Sequence, residues 1–195
     1  MLGAGLSRRM GGANKLLLEL DGKTLVRRVA ETALAAGLDP VVVVVGHAAA
    51  EVRKELGGLT LSFAENRQPE DGLSSSLRIG IDTLSREAPG ASGAVVMLGD
   101  MPWVRREDVT ALLAAFDPAA GREICVPFHA GRRGNPVLWS ARFFGEMMQL
   151  KGDLGARDLM GLHAGSVHEV AVDGTGVLKD VDTPEAFRAD GHTGS

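Results

Sequence analysis

The chain has 195 residues and a formal net charge of −4, and 45% of its residues are apolar. This length predicts a single domain over residues 1–188 with a substantial core, followed by a disordered tail over 189–195. The negative charge, the scarce aromatic residues and the absence of tyrosine argue against a nucleic-acid partner. The sequence has no run of about 20 apolar residues, which a membrane span requires, and it has no secretory signal pattern. We therefore expect a cytoplasmic protein with no membrane partner.

Cysteine and histidine usage narrows the class further. Cys125 is the only cysteine and lies in an apolar run, so we interpret it as a buried core residue and not as a catalytic thiol. A single cysteine forms no disulfide within the chain, which fits a reducing compartment. The five histidines show no ligand spacing typical of zinc, and a structural zinc site is not expected.

The first fifteen residues contain four glycines, two arginines and a lysine. Glycine lets backbone N–H groups approach a ligand closely, and a run of such groups forms a nest for anions. Arg8 and Arg9 add forked donors, and Lys15 adds a mobile point charge. The segment therefore predicts a polyphosphate pocket, in preference to a surface turn with scattered basic residues.

Two common phosphate loops do not fit this segment. The Walker A pattern is absent. The segment 3–8 starts like a dinucleotide fingerprint, but Arg8 stands where the third glycine belongs. The next apolar strand candidate ends in Gly46 and His47, and no acid follows it for a ribose hydroxyl. These departures exclude the nicotinamide fingerprint.

Helical and strand patterns alternate along the rest of the chain. Thr24 is expected to cap a helix that Gly37 ends, and a serine of the 74–76 run to cap another that continues through Leu84. Further helices are predicted over 48–56, 107–116 and 140–150. Strands are predicted over 41–45, 59–64, 94–98, 124–127, 135–139 and 167–172.

This alternation predicts an α/β fold, a three-layer sandwich with a mostly parallel, Rossmann-like mixed sheet. Five consecutive valines, residues 41–45, are typical of a parallel strand buried on both faces. A late strand is expected to run antiparallel. Only Met1 and Leu2 precede the glycine-rich loop, so we expect the first strand to be truncated to a stub.

Two acidic positions are candidates for metal binding. Asp100 follows the strand over 94–98 in the sequence Gly-Asp-Met-Pro. An acid at the carboxyl end of a parallel strand points into the ligand crevice, where a hard carboxylate suits Mg²⁺. The alternative is a turn aspartate before proline. Asp180 and Asp182 face one side of an extended segment, and such a pair can serve a second metal or a substrate.

Two polar segments are candidates for substrate contacts, each with a structural alternative. The turn-rich stretch from Asn66 leads to the serines 74–76, whose groups suit polar ligands or simply cap a helix. Arg132 and Arg133 lie in a loop before Asn135. These cations suit a phosphate or lie in a solvated hairpin loop.

The ordered set of motifs resembles the nucleotidyltransferases that handle the molybdenum cofactor, most closely the cytidylyltransferase branch. The matching segments cover nearly the whole chain: 2–17, 72–77, 98–102, 131–138, 152–157 and 180–184. The resemblance implies the nucleotide-diphospho-sugar transferase type of sandwich and transfer of CMP from CTP to the pterin molybdenum cofactor, with release of pyrophosphate. The guanylyl branch usually has glycine at the position of Ala4, and alanine at this position is typical of the cytidylyl branch. Gly3 departs from both branches, which usually have alanine there.

The resemblance also implies the roles of individual residues. Catalysis falls to Lys15, Arg9 and Asp100. Nucleotide contacts fall to Leu2, Gly3, Ala4, Gly5, Arg9, Lys15, Asn66 and Ser76. Acceptor contacts fall to Arg133 and Asn135. Mg²⁺ is the expected cofactor, and its ligands are Asp100 and Asp182.

Several alternatives stay open at this point. The nucleotide is CTP or GTP, and the acceptor is the pterin or a sugar or alditol phosphate. In another class, the chain is a non-catalytic nucleotide-binding accessory protein for a molybdenum hydroxylase, which makes that hydroxylase or its accessory protein a candidate partner. A nicotinamide oxidoreductase is the weakest alternative, because its fingerprint is absent.

Overall fold

A computed structural model of the protein describes residues 1–5, 14–152 and 156–181. The predicted tail over 189–195 and the domain boundary at 188 lie outside these residues. The described strands are β1 Leu2–Gly3, β2 Glu19–Leu20, β3 Lys23–Thr24, β4 Val42–Val45, β5 Ser62–Glu65, β6 Gly93–Val96, β7 Ile124–His129, β8 Arg132–Arg133, β9 Val137–Ser140 and β10 Val167–Ala171. The described helices are α1 Leu25–Ala35, α2 Ala49–Glu55, α3 Leu73–Glu87, α4 Arg106–Ala115, α5 Phe144–Met147 and α6 Arg157–Leu162.

The short strand β1 joins two groups of strands into one central sheet. On one side β1 pairs in parallel with β4, and β4 pairs in parallel with β5. On the other side the Leu2 N–H donates to the Met97 carbonyl at 2.8 Å, and the Gly99 N–H donates to the Leu2 carbonyl at 2.9 Å. Through these bonds β1 reaches the second group, whose order is β6, β9, β7 and β10.

The sheet is mostly parallel, as predicted, but the antiparallel strand is not a late one. Among the described strands of the central sheet, β9 runs antiparallel to its neighbours β6 and β7, and the two-residue strand β8 runs antiparallel to β7. The late strand β10 pairs in parallel with β7, so the expectation of a late antiparallel strand is wrong. The reason lies in the connections. A short hairpin reverses the chain between β7 and β9, whereas a longer crossover that includes α6 returns it parallel to β7.

Helices cover both faces of the sheet and complete the predicted three layers. In β4, Val43 and Val45 belong to the apolar cluster that includes α1, whereas Val42 and Val44 pack with residues of α3 on the other face. Side chains of successive strand residues point to opposite faces. The valine run is therefore buried on both sides, as a central parallel strand requires.

Several local predictions are confirmed, and one cap is not. The Thr24 hydroxyl accepts the N–H of Arg27 and caps α1. Gly72, not a serine, is the N-cap of α3, and its φ of 89° favours glycine. Cys125 is fully buried, and burial raises the pKa of its thiol, as its apolar neighbours predict.

The predicted helix over 140–150 is divided into a 3₁₀ turn, Ala141–Phe143, and α5. Phe143 and Met147 are fully buried in it, so its apolar face belongs to the core. Within the described part of the chain, no helix has the length and hydropathy needed to cross a bilayer.

Candidate active site

The carboxyl ends of β1, β4 and β6 meet at one edge of the sheet, and glycines allow them to approach closely. A Cβ atom on Gly46 would lie 2.9 Å from the Ala4 carbonyl oxygen, and one on Gly99 would lie 3.1 Å from the Leu2 carbonyl oxygen. A larger residue at either position would push the strand ends apart. Ala4 is buried here, and Gly5 is exposed, so the glycine-rich loop starts from this edge.

Lys15 and Asp100 come together at the same edge. Lys15 is the first residue of a 3₁₀ turn, Lys15–Leu17. The side chain of Asn14 caps this turn by accepting the Leu16 N–H. Asp100 follows Gly99, beyond the end of β6. Lys15 Nζ lies 2.6 Å from Asp100 Oδ2, and the two side chains are only 14% and 18% exposed. The structure therefore places two of the three predicted catalytic residues in direct contact.

A segment near the end of the described chain packs against Asp100. The Val181 N–H donates to the Asp100 carbonyl at 2.9 Å, and Val181 is fully buried. Asp182 is the next residue in the sequence, but it lies outside the described residues, as does Arg9.

Asn66 and Ser76 form one buried hydrogen-bonded group between β5 and α3. Asn66 Nδ2 donates to Ser75 Oγ at 2.8 Å and to Ser76 Oγ at 2.9 Å. Asn66 Oδ1 accepts the Gln68 N–H at 3.0 Å. Since Asn66 is 2% and Ser76 5% exposed, these contacts fix the start of α3 relative to the end of β5.

The start of α3 contains one further polar group that lacks a partner. The Ser74 N–H donates to the Gly152 carbonyl at 3.2 Å. The Ser74 hydroxyl is buried and makes no hydrogen bond with any described residue, although buried polar groups are nearly always paired.

Of the two predicted acceptor residues, Asn135 lies beside the segment that reaches Asp100. The Asn135 N–H donates to the Val177 carbonyl at 2.9 Å, and the peptide bond between Asn135 and Pro136 is cis. Arg133 Nε lies 2.7 Å from Glu169 Oε1 on the exposed face of the hairpin. The backbone over 177–181 thus connects Asn135 to Asp100, whereas Arg133 is engaged in an ion pair with β10.

Sequence reasoning missed two parts of this arrangement. Ser75 binds Asn66 together with Ser76, and the run of three serines was the signal that could have identified it. The backbone over 177–181 had no comparable signal, because its role depends on where the fold brings Asn135 and Asp100. Leu2, Gly3, Ala4 and Gly5 lie at the edge as expected.

The donor set at this edge suits a hard divalent cation bound jointly with substrate. Among the described residues, no group of three or more histidine, cysteine or acidic side chains could hold a metal ion by itself. Mg²⁺ usually takes one or two carboxylates and completes its shell with phosphate oxygens and water. The partly exposed carboxylate of Asp100 fits that requirement.

A mostly parallel sheet with glycines and charged residues at its strand ends places this chain among the α/β proteins whose ligands bind at the carboxyl edge. Residues 1–169 match the family described as the MobA-like NTP transferase domain, and the chain belongs to that family of nucleotidyltransferases. It is 34% identical over 203 aligned positions to the purine catabolism protein PucB of Bacillus subtilis, covering 95% of this chain and 91% of PucB.

Solved structures show the same fold. The crystal structure of Rv0371c from Mycobacterium tuberculosis aligns with a TM-score of 0.82 at 32% identity, over 96% of this chain and 93% of that one. A structure of Rv0371c in complex with manganese aligns with a TM-score of 0.76 at 33% identity, over 96% and 94% of the two chains. The three-layer fold expected from the sequence is thus confirmed.

Proposed function

We propose that the protein transfers CMP from CTP to the pterin molybdenum cofactor and releases pyrophosphate, with Mg²⁺ as its cofactor. The observation that carries this proposal is the contact between Lys15 and Asp100 at the carboxyl edge of the sheet. A cation paired with a carboxylate that can bind a metal, beside Gly3 and Gly5 of a glycine-rich sequence, suits a triphosphate. Ala4 in the loop favours CTP over GTP, because the resembling cytidylyl branch has alanine there.

In the proposed reaction, an oxygen of the pterin's terminal phosphate attacks the α-phosphorus of CTP. The new P–O bond forms as the bond to the β-phosphate oxygen breaks, and pyrophosphate leaves with the electron pair. The attacking phosphate is already ionised, so no strong general base is needed. Catalysis then consists of positioning two anions and stabilising the leaving charge.

Each candidate residue has a role in this scheme. The backbone of Leu2, Gly3, Ala4 and Gly5, together with Lys15 and Arg9, binds the triphosphate. Asp100 and Asp182 hold Mg²⁺, which supplies charge neutralisation at the phosphates when bound. Asn66 and Ser76 shape the nucleoside side of the pocket. Arg133 and Asn135 face the acceptor, in which case Arg133 exchanges Glu169 for a phosphate.

The nucleotide preference is tested by titration calorimetry of CTP and GTP, each with and without Mg²⁺. We expect binding that depends on Mg²⁺ and prefers CTP, followed by pyrophosphate release when the pterin is added. A preference for GTP would move the protein to the guanylyl branch. Pyrophosphate release with a sugar or alditol phosphate, but not with the pterin, would identify that phosphate as the acceptor in place of the pterin.

An accessory role is the second candidate, favoured by the similarity to PucB, which is named as a purine catabolism protein. In this case the protein binds a nucleotide and delivers the pterin cofactor to a molybdenum hydroxylase without turnover. Pyrophosphate release distinguishes the two, because only the transferase produces it. We propose that either role is carried out in the cytoplasm.

A further inference from the structure

The ion pair at the candidate site joins a fixed carboxylate to a mobile cation. Asp100 is held through its backbone, since its carbonyl accepts the Val181 N–H and the preceding Gly99 N–H donates to Leu2. Lys15 reaches it with a flexible four-carbon side chain. The ammonium nitrogen lies 2.6 Å from the carboxylate oxygen. If a group moves when ligands bind, it is the ammonium and not the carboxylate.

A divalent metal and this ammonium have opposing requirements at Asp100. Both are cations that need the same carboxylate, and neither side chain is more than 18% exposed, so water screens their mutual repulsion only in part. A metal that arrives alone must displace the ammonium and then remain beside it. A triphosphate removes this conflict, because its oxygens offer anionic partners to both cations.

We propose that Lys15 is a resident cation on Asp100: it competes with the divalent metal for the carboxylate and leaves it when the triphosphate binds. This inference rests on the proposed role of Asp100 as a metal ligand. It makes Lys15 a positioning residue for the metal as well as a phosphate ligand. Metal and nucleotide then bind with positive coupling, which is reciprocal by thermodynamic necessity.

The competition is tested without turnover by titrating Mn²⁺ into the full chain and following free Mn²⁺ by electron paramagnetic resonance, in the absence of nucleotide. We expect Lys15→Met and Lys15→Gln to bind Mn²⁺ roughly two- to fivefold more tightly than the wild type, the range expected for a partly exposed ion pair. Lys15→Arg keeps the charge and should stay near the wild type.

Two further variants serve as controls. Lys23→Met removes a comparable but more exposed pair, in which Lys23 Nζ lies 2.7 Å from Glu31 Oε2, and should leave Mn²⁺ affinity unchanged. Asp100→Asn should lose the Mn²⁺ site in either Lys15 background. Thermal melting of each variant verifies that it is folded.

The coupling is measured by repeating the titrations with CTP present. CTP should tighten Mn²⁺ binding in the wild type by a larger factor than in Lys15→Met. Equal or weaker Mn²⁺ binding by both folded neutral variants would overturn the competition, and so would an unchanged Mn²⁺ site in Asp100→Asn. By contrast, tighter binding by the neutral variants supports the competition even if CTP does not bind, a result that would count against the proposed function alone.

Discussion

The two edges of the central sheet differ in chemistry although the same strands form both. At the carboxyl edge, glycines bring the strand ends into contact and Lys15 pairs with Asp100. At the amino edge, β4 and β6 are separated by a cavity of about 130 Å³. Its walls are mainly aliphatic: Met1, Leu2, Ala33, Leu38, Val42, Leu77, Ile81, Leu84, Ala94 and Val95.

The comparison shows that the two edges offer different groups to a ligand. The apolar cavity offers few groups that could orient a polar ligand or stabilise charge, whereas the carboxyl edge combines charge with backbone N–H groups. Met1 and Leu2, at the start of the two-residue strand β1, line this cavity between β4 and β6. Three tests, from the largest expected effect to the smallest, examine this difference.

Removal of the carboxylate at the carboxyl edge should have the largest effect. We expect Asp100→Ala to lower pyrophosphate release by roughly a thousandfold or more, equivalent to about 4 kcal/mol of transition-state stabilisation, while the melting temperature changes little. The readout is turnover at saturating Mg²⁺. Asp82→Ala is the matched control, because Asp82 pairs with Arg86 on the exposed face of α3. Unchanged turnover in Asp100→Ala would contradict the proposed role of Asp100 as a metal ligand.

The amino edge contains a buried amino group whose effect on stability depends on pH. The Met1 amino group donates to the Val42 carbonyl at 2.7 Å, and burial lowers its pKa from 8.0 to about 5. The unfolded state therefore binds more protons between pH 5 and 8, so the free energy of unfolding should rise with pH across that window, by up to about 4 kcal/mol.

This stability is complete above pH 8 and is lost as the pH falls toward 5. Urea unfolding measured across the window on protein that starts at Met1 tests the effect. Acetylation of the amino group removes the titration and is the control. A profile that rises equally in the acetylated protein would assign the pH dependence to other groups.

One substitution made at both edges compares their packing directly. Ala4→Val should destabilise the protein by about 1–3 kcal/mol through overpacking, because Ala4 is buried against Gly46, and should lower nucleotide affinity. Ala94→Val adds two methyl groups beside the cavity and should stabilise the protein by about 0.5–1 kcal/mol, without changing turnover. The free energies come from urea unfolding of both variants. Destabilisation of similar size at both sites would mean that the amino edge is as tightly packed as the carboxyl edge.

The sequence by itself predicted strand β4, helix α1 and the acidic residue that follows strand β6. The valine run predicts β4 because a strand buried on both faces needs no alternation, and Thr24 and Gly37 bound α1 through local capping. Asp100 was identified by its position after an apolar strand. These signals are local, since they depend on side-chain type and spacing within a few residues.

Only the tertiary structure decided which distant groups meet. Local residue patterns do not show that Lys15 contacts Asp100 or that Asn66 binds Ser75 as well as Ser76. They also do not show that Val181 donates a hydrogen bond to the Asp100 carbonyl. It also misassigned the antiparallel strand and the cap of α3. Strand order and direction follow from how connections cross the sheet, and Gly72 caps α3 because its backbone adopts a positive φ there. Such features depend on long-range packing, which local residue patterns do not contain.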